Sequence, residues 1–264
     1  MVVAATAAAI ALMAIELGSY ARQTTRTSAT LIPGAVTVAA IVSPGMSRPP
    51  SARYGLEPDA AGRISVALAD PVPRTLPRDG VPPGWTLKEF AGRSEVRLLR
   101  TEGRLAVMLR ATRSSFVLHR DVALDVAEFP ILTWSWKVLR VPAGGDVRQP
   151  HRDDQAAQLY AIFPRWPAPL TRSDVIGYVW DTSAPIGTRV VGTRAANLRV
   201  IVVESGRSQL GAWRSYERNL AQDYLALFGR NAPRLGKVAL MIDANDTGSD
   251  AETLIGGLAF ARSP

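Results

Sequence analysis

The sequence predicts an all-β domain with one helix, built as a sandwich or barrel. Three observations carry that prediction. Between residues 81 and 264, nine short segments have the alternation or β-branched composition of strands, with turn residues between them. A single segment in that region has an apolar stripe at helical spacing. No internal repeat of roughly 20–50 residues is present.

Glu95–Arg100 and Arg104–Arg110 are separated by Thr101-Glu102-Gly103, a glycine-containing hairpin loop. Ser115–Val122 and Ile131–Leu139 follow. In the latter, Leu132, Trp134, Trp136 and Val138 share one face, and Thr133, Ser135 and Lys137 the other, because strand side chains alternate. The first set belongs in a core. The later strands are Ala156–Phe163, Val175–Asp181, Arg199–Glu204, Lys237–Asp243 and Ile255–Ala261. Val200 to Val203 are apolar on both faces, which predicts a central strand. The helix is expected over Tyr216–Phe228, where Leu220, Tyr224, Leu227 and Phe228 form one stripe. Ser215 would cap its start, Gly229 would end it in a left-handed conformation, and Pro233 blocks continuation.

Upstream the composition changes. Val2–Ile15 is a continuous apolar run, and Leu31–Val42 is a second, preceded by Arg22 and Arg26. Both are shorter than the ~20 residues of a membrane span and have the length of a signal-peptide hydrophobic region. The first lacks a positive leader; a start at Met13 would place both arginines ahead of the second. Residues 1–42 are therefore expected to be a signal peptide or a membrane anchor, with a buried core helix as the alternative. Nine prolines fall between Ser43 and Pro83. Proline removes backbone donors and blocks helices and central strands, so residues 43–80 read as an extended linker, with a short strand pattern at Ile64–Leu68. The globular domain is expected over 81–264, in a protein located in the periplasm or cell envelope.

The formal charge is +8, from 31 basic and 23 acidic residues, and only Lys88, Lys137 and Lys237 among the basic ones are lysine. The excess is spread thinly, without the runs or stripes of nucleic-acid binders, so no nucleic-acid partner is expected. Cysteine is absent, which excludes disulfides, thiolate nucleophiles, iron–sulfur clusters and thiolate zinc sites. Two histidines, His119 and His151, cannot build a three-histidine metal site. Gly144-Gly145 and Gly256-Gly257 lack the spacing of a phosphate loop, and no nucleotide cofactor is expected.

Several motifs occur in order: Trp85 after Pro82-Pro83-Gly84; Trp134-Ser135-Trp136-Lys137-Val138; Asp153-Asp154 leading to Tyr160 and Phe163; and Gly177-Tyr178-Val179-Trp180. Ser205-Gly206 follows, then Trp213 with Glu217 and Asn219, Asp223-Tyr224, Phe228-Gly229, and Met241 to Thr247. This series resembles the bacterial family of unknown function designated DUF3047, over about residues 81–261. The resemblance implies an exported or envelope protein with a jelly-roll-like antiparallel β-sandwich, similar in shape to carbohydrate-binding modules, and brings no known reaction. Two places depart from the family pattern. Ala244-Asn245 stands where a Thr-Asp-like pair is usual, and Gly256-Gly257 where Tyr-Gly-Asp is usual. A cation bound there would have fewer ligands in this chain.

The candidate site residues follow from chemistry and position. Asp153, Asp154 and Arg152 end a polar loop and would pair with sugar hydroxyls, or serve as a loop–strand hydrogen-bond network. Trp180, near a strand end, and Trp213, in a loop, would stack on sugar rings. Glu217 and Asp223 add carboxylates on the expected helix. Asp243 and Asp246, with Asn245 and Asp250, lie in a glycine-containing turn that would suit Ca²⁺, although Asx-turns use the same residues without metal. The expected function is binding of a glycan or envelope polymer, with a possible polysaccharide ligand and a membrane tether through residues 2–42. One alternative is a carbohydrate-active enzyme, a glycosidase or lyase, using a pair drawn from Asp153, Asp154, Glu217, Asp223 and Asp243. Another is a structural envelope protein without a ligand.

Overall fold

A computed structural model describes residues 56–165, 173–192 and 195–263. Thirteen strands and one helix are found among them. In chain order they are β1 (Arg63–Val66), β2 (Thr86–Ala91), β3 (Glu95–Thr101), β4 (Arg104–Thr112), β5 (Ser115–Leu124), β6 (Ile131–Arg140) and β7 (Ala157–Phe163). Then come β8 (Asp174–Asp181), β9 (Arg189–Gly192), β10 (Ala195–Ser205), β11 (Arg214–Asn219), α1 (Leu220–Phe228), β12 (Leu235–Asp243) and β13 (Asp250–Ala261).

The strands form two sheets. The first runs β11-β6-β13-β4-β3, with β1 also paired to β13. The second runs β2-β5-β12-β7-β8-β10-β9. Pairing is antiparallel except between β8 and β10, which run parallel. The sheets face each other across one core. Trp134 and Trp136 point from β6 toward Tyr178 and Trp180 of β8, and the Trp134 and Tyr178 rings lie 5.1 Å apart. This is the jelly-roll-like β-sandwich expected from the sequence, and all nine expected strands are present. Large aromatic side chains dominate such cores, each contributing well over ~100 Å² of buried area.

The second sheet is apolar on its other face as well. Val117, Tyr160, Ile162, Val175, Val179, Val200, Val202, Ala239 and Met241 make that layer. This explains why β7 and β8 are buried at every position. It also explains the unbroken apolar run in β10, which pairs on both edges.

The helix is shorter than its periodicity predicts. Residues 214–219 are a strand against β6, with Tyr216 opposite Trp134, because stacking Tyr216 on Trp134 at 5.3 Å outweighs a first helical turn. The cap is accordingly Asn219 rather than Ser215, and its side chain accepts from Gln222 N at 3.0 Å. Gly229 ends the helix at φ 68°, as expected. Leu220 and Tyr224 plug one end of the sandwich.

The expected linker divides in two. Residues 43–55, like the apolar runs within 1–42, lie outside the described residues. Residues 56–80 are laid against the sandwich, so the folded unit begins before residue 81. Ile64 and Val66 alternate inward from β1, and the prolines of this stretch fall outside the strand. Asp70 pairs with Arg120 at 2.8 Å, and Ala67 O accepts from Trp85 Nε1 and from Arg120, each at 3.1 Å. Among the described residues no helix is long and apolar enough to cross a membrane.

Candidate functional site

The loops at one end of the sandwich converge on buried carboxylates. Asp153 and Asp154 precede β7 and face different ways. Asp154 is 0% exposed. Its Oδ1 accepts from Asp246 N at 3.1 Å, and its Oδ2 from Thr247 N and Thr247 Oγ1, both at 2.6 Å. Thr247 Oγ1 in turn bonds Ser249 Oγ at 2.6 Å, and Ser249 Oγ accepts from Ala143 N at 3.0 Å. Asp154 thus ties the β12–β13 turn to the loop before β7.

Asp243, also 0% exposed, closes this network. Burial, then the Asp154 charge, push its carboxyl well above the ordinary carboxylate range. Among the described residues no N–H or hydroxyl reaches its Oδ2, and the nearness of Asp154 favours the protonated form of the Asp243 carboxyl. Asp153 is half-buried and accepts from Gln155 Nε2 at 3.0 Å.

The same loop is held from two more points. Asp146 accepts from Arg148 Nε at 2.8 Å and from Gln149 Nε2 at 3.0 Å, and hydrogen bonding from Arg148 lowers its carboxyl to about 2. Asp181 accepts from Val147 N, Ser183 N and Ala184 N at 2.6–2.8 Å, while burial raises it. Gly145 passes so close that a Cβ there would stand 2.3 Å from Asp154 O. Arg152 folds over Gly144, where a Cβ would meet its guanidinium at 2.2 Å.

Beside this network is a surface cavity of about 480 Å³. Leu139, Val141 and Leu210 supply apolar walls, Arg140, Arg207 and Asp250 the polar groups, and Ser249 links it to Asp154 through Thr247. Arg140 and Asp250 pair at 2.9 Å. The volume falls in the range of small-ligand sites. Trp213 lies three residues beyond Leu210 on the same loop, half-buried on the outer face of the first sheet. Its ring covers Gly256, whose missing Cβ leaves the room, and the Arg104 guanidinium lies over the ring at 4.7 Å.

The remaining expected residues are scattered. Trp180 is 0% exposed, with Nε1 donating to Gly206 O at 3.0 Å, so its ring faces no ligand. Its strand is buried on both faces, and closeness to the strand end does not expose it. Asp223 is buried on α1, where its Oδ2 accepts from Tyr178 OH and Arg218 Nε, both at 2.8 Å. Glu217 is exposed on β11 rather than on a helix. No solvent-facing carboxylate pair is assembled from Asp154, Asp243, Asp223 and Glu217. Asp243 turns to Asp154 and Asp246 accepts from Asn245 Nδ2 at 2.9 Å. No group of three metal-ligating side chains is found among the described residues. Of the residues singled out from the sequence, Asp250 lines the cavity, and Trp213 lies on the loop that carries Leu210. Asp250 is named by the sequence as part of a turn suited to Ca²⁺ rather than as a cavity wall; Arg140 and Arg207 carry no local signal, and the one further signal is Leu139, an apolar side chain on the polar face of its strand.

The family described as "Protein of unknown function (DUF3047)" matches residues 83–259. The chain belongs to the DUF3047 family. No curated protein matches it. Among solved structures it is similar to the family 11 carbohydrate-binding module of a cellulosomal cellulase of Clostridium thermocellum, with 5% identity and TM-score 0.38 over 68% of this chain and 88% of that one. It is also similar to the endoglucanase Cel12A of Rhodothermus marinus, with 8% identity and TM-score 0.40 over 69% and 97%. A third is a xyloglucanase domain of a Sinorhizobium fredii effector, with 9% identity and TM-score 0.38 over 68% and 94%.

Proposed function

We propose that this DUF3047 protein binds a polysaccharide at the cavity between Leu139 and Asp250 and along the adjoining Trp213 surface. The supporting observation is the joining of two kinds of surface by one loop. Leu210 lines the cavity and Trp213 lies on the sheet beside it. A sugar presents apolar C–H faces and a rim of hydroxyls. Leu139, Val141, Leu210 and the Trp213 ring suit the first; Arg140, Arg207, Asp250 and Arg104 suit the second. The binding site acts outside the cytoplasm in this reading, with residues 2–42 as export signal or tether; the two apolar runs and the basic pair between them support that part.

A glycan array with the full chain, followed by titration of the best hit, tests the binding. Stacking contributes on the order of 0.5–1.5 kcal/mol per aromatic contact, so Trp213→Ala should weaken binding about threefold to tenfold. Arg207→Ala, at an exposed position, should weaken it too without lowering Tm. An array without hits, or hits unaffected by both substitutions, overturns the proposal. Export is tested by fusing residues 1–55 to a reporter active only outside the cytoplasm; a silent fusion overturns that part alone.

A further inference from the structure

At the opposite end of the second sheet, arginines outnumber the carboxylates that hold them. Asp174 opens β8 and is buried. Its Oδ2 accepts from Arg230 at 2.6 Å and from the Tyr224 hydroxyl, and Arg165, just beyond β7, reaches Oδ1 at 3.7 Å. Arg230 also lies over the Phe228 ring at 5.6 Å, and Arg199 of β10 lies over the same ring at 5.1 Å. Arg199 is oriented further by donating to Ala196 O at 2.6 Å and Leu198 O at 3.1 Å. Three guanidiniums are thus gathered by one ring and one carboxylate. Among the described ion pairs, Asp174 is their only acidic partner, which leaves a surplus of two positive charges.

The arrangement is more than a brace for the helix. A guanidinium carries five N–H donors in a fixed fork. Among the described residues, one or two on each of Arg230 and Arg199 are used, and Arg165 makes the long contact alone. The side chains of Arg165 and Arg230 remain 40% and 43% exposed. Stacking on Phe228 and pairing with Asp174 hold two of the forks in place before any ligand arrives, which lowers the ordering cost of binding. Guanidinium forks match the geometry of carboxylate and phosphate oxygens.

We propose that Arg165, Arg199 and Arg230, gathered around Phe228 and Asp174, form a binding site for an oxyanion, a phosphate or carboxylate group. The site stands on different loops from the Trp213 surface and does not depend on the polysaccharide reading.

Calorimetric titration of the full chain at low ionic strength tests it, with sodium phosphate, polygalacturonate and neutral dextran as probes. Phosphate or polygalacturonate should bind, dextran should not bind here, and raising salt from about 20 to 200 mM should weaken the interaction severalfold, as screening requires. Phosphate binding alone marks a site for a small free anion. Polygalacturonate binding alone marks a site for a polymer-borne carboxylate. In Arg165→Gln/Arg199→Gln, affinity should fall at least about tenfold, as expected for two lost charge-assisted contacts, while Trp213→Ala should leave it unchanged. Should the double variant melt early, Arg199→Lys supplies the second test: it keeps the charge, loses the fork, and should bind measurably more weakly at unchanged Tm. Failure of both anions to bind, or equal binding by the folded variants, overturns the site.

Discussion

Apart from Asp146, which an arginine holds, the two ends of the sandwich hold their buried carboxylates by different means. Around the cavity, Asp154 and Asp181 accept mainly from backbone N–H groups and a threonine hydroxyl. Around the helix, Asp174 and Asp223 accept from arginines and tyrosines. Backbone donors are placed by the fold and have no other use, so a carboxylate satisfied by them fastens loops. A guanidinium satisfied by one carboxylate still has N–H groups to offer. The first end is rigid scaffolding beneath a cavity, and the second leaves cationic groups facing water.

The largest test of this contrast is Asp154→Ala. It removes the acceptor of the partly buried Asp246 and Thr247 N–H groups and leaves the Thr247 hydroxyl with Ser249 alone. Unsatisfied buried groups cost about 1–3 kcal/mol each, so a loss near 3–5 kcal/mol is expected in urea unfolding. A loss below ~1 kcal/mol would mean that the turn is not fastened there.

Asp146→Asn should have a smaller effect with a defined pH window. The Asp146 carboxyl drops from an ordinary 3.8 to about 2 on folding. The native protein therefore holds stability above about pH 4 that fades as pH falls toward 2. Melting of the variant should lie below that of the native chain at pH 7 and approach it near pH 2; a constant gap would assign the loss to packing.

Asp243→Asn should act with the opposite sign. A carboxyl raised by folding binds more protons in the native state, so its contribution weakens as pH rises above the ordinary value of 3.8. The asparagine variant donates to Asp154 without a titrating proton. It should melt with less pH dependence and be at least as stable as the native chain at pH 8. A less stable variant would show that the proton on Asp243 is not what satisfies the pair.

The smallest effect belongs to the other end. Arg165 is partly exposed and makes a 3.7 Å contact, so Arg165→Gln should change stability by less than about 0.5 kcal/mol. A loss resembling that of Asp154→Ala would erase the distinction between the two ends.

Sequence reading reached the sandwich because half its strands have a solvated face. The alternation of Thr133, Ser135 and Lys137 against Trp134 and Trp136 identified the core side of β6 without ambiguity. The same reasoning failed at Trp180. Ile176, Tyr178 and Trp180 point into the sandwich while Val175 and Val179 point into the second apolar layer, so periodicity carries no contrast there. Local spacing predicts helix over Tyr216 to Asn219, because their strand role depends on Trp134, more than eighty positions earlier. A loop–strand hydrogen-bond network is one of the two roles the sequence allows Asp154, but its donors, 92 and 93 residues away, cannot be read locally. The oxyanion cluster joins four separate elements, and nothing local marks Arg199 among the many other arginines.

The placement of β13 bears on the order in which the protein takes shape. This last strand lies between β6 and β4, and its end pairs with β1, so that Arg63 stands opposite Ala261. The first sheet cannot close until residue 261 has left the ribosome. Until then β6 and β4 expose unpaired edges on either side of an empty lane, a state prone to pairing with other chains. Contacts spanning nearly two hundred residues also slow folding relative to local ones. Seating β13 between β6 and β4 is therefore the step that removes the open edges of the first sheet, and it comes after both neighbouring strands have been made.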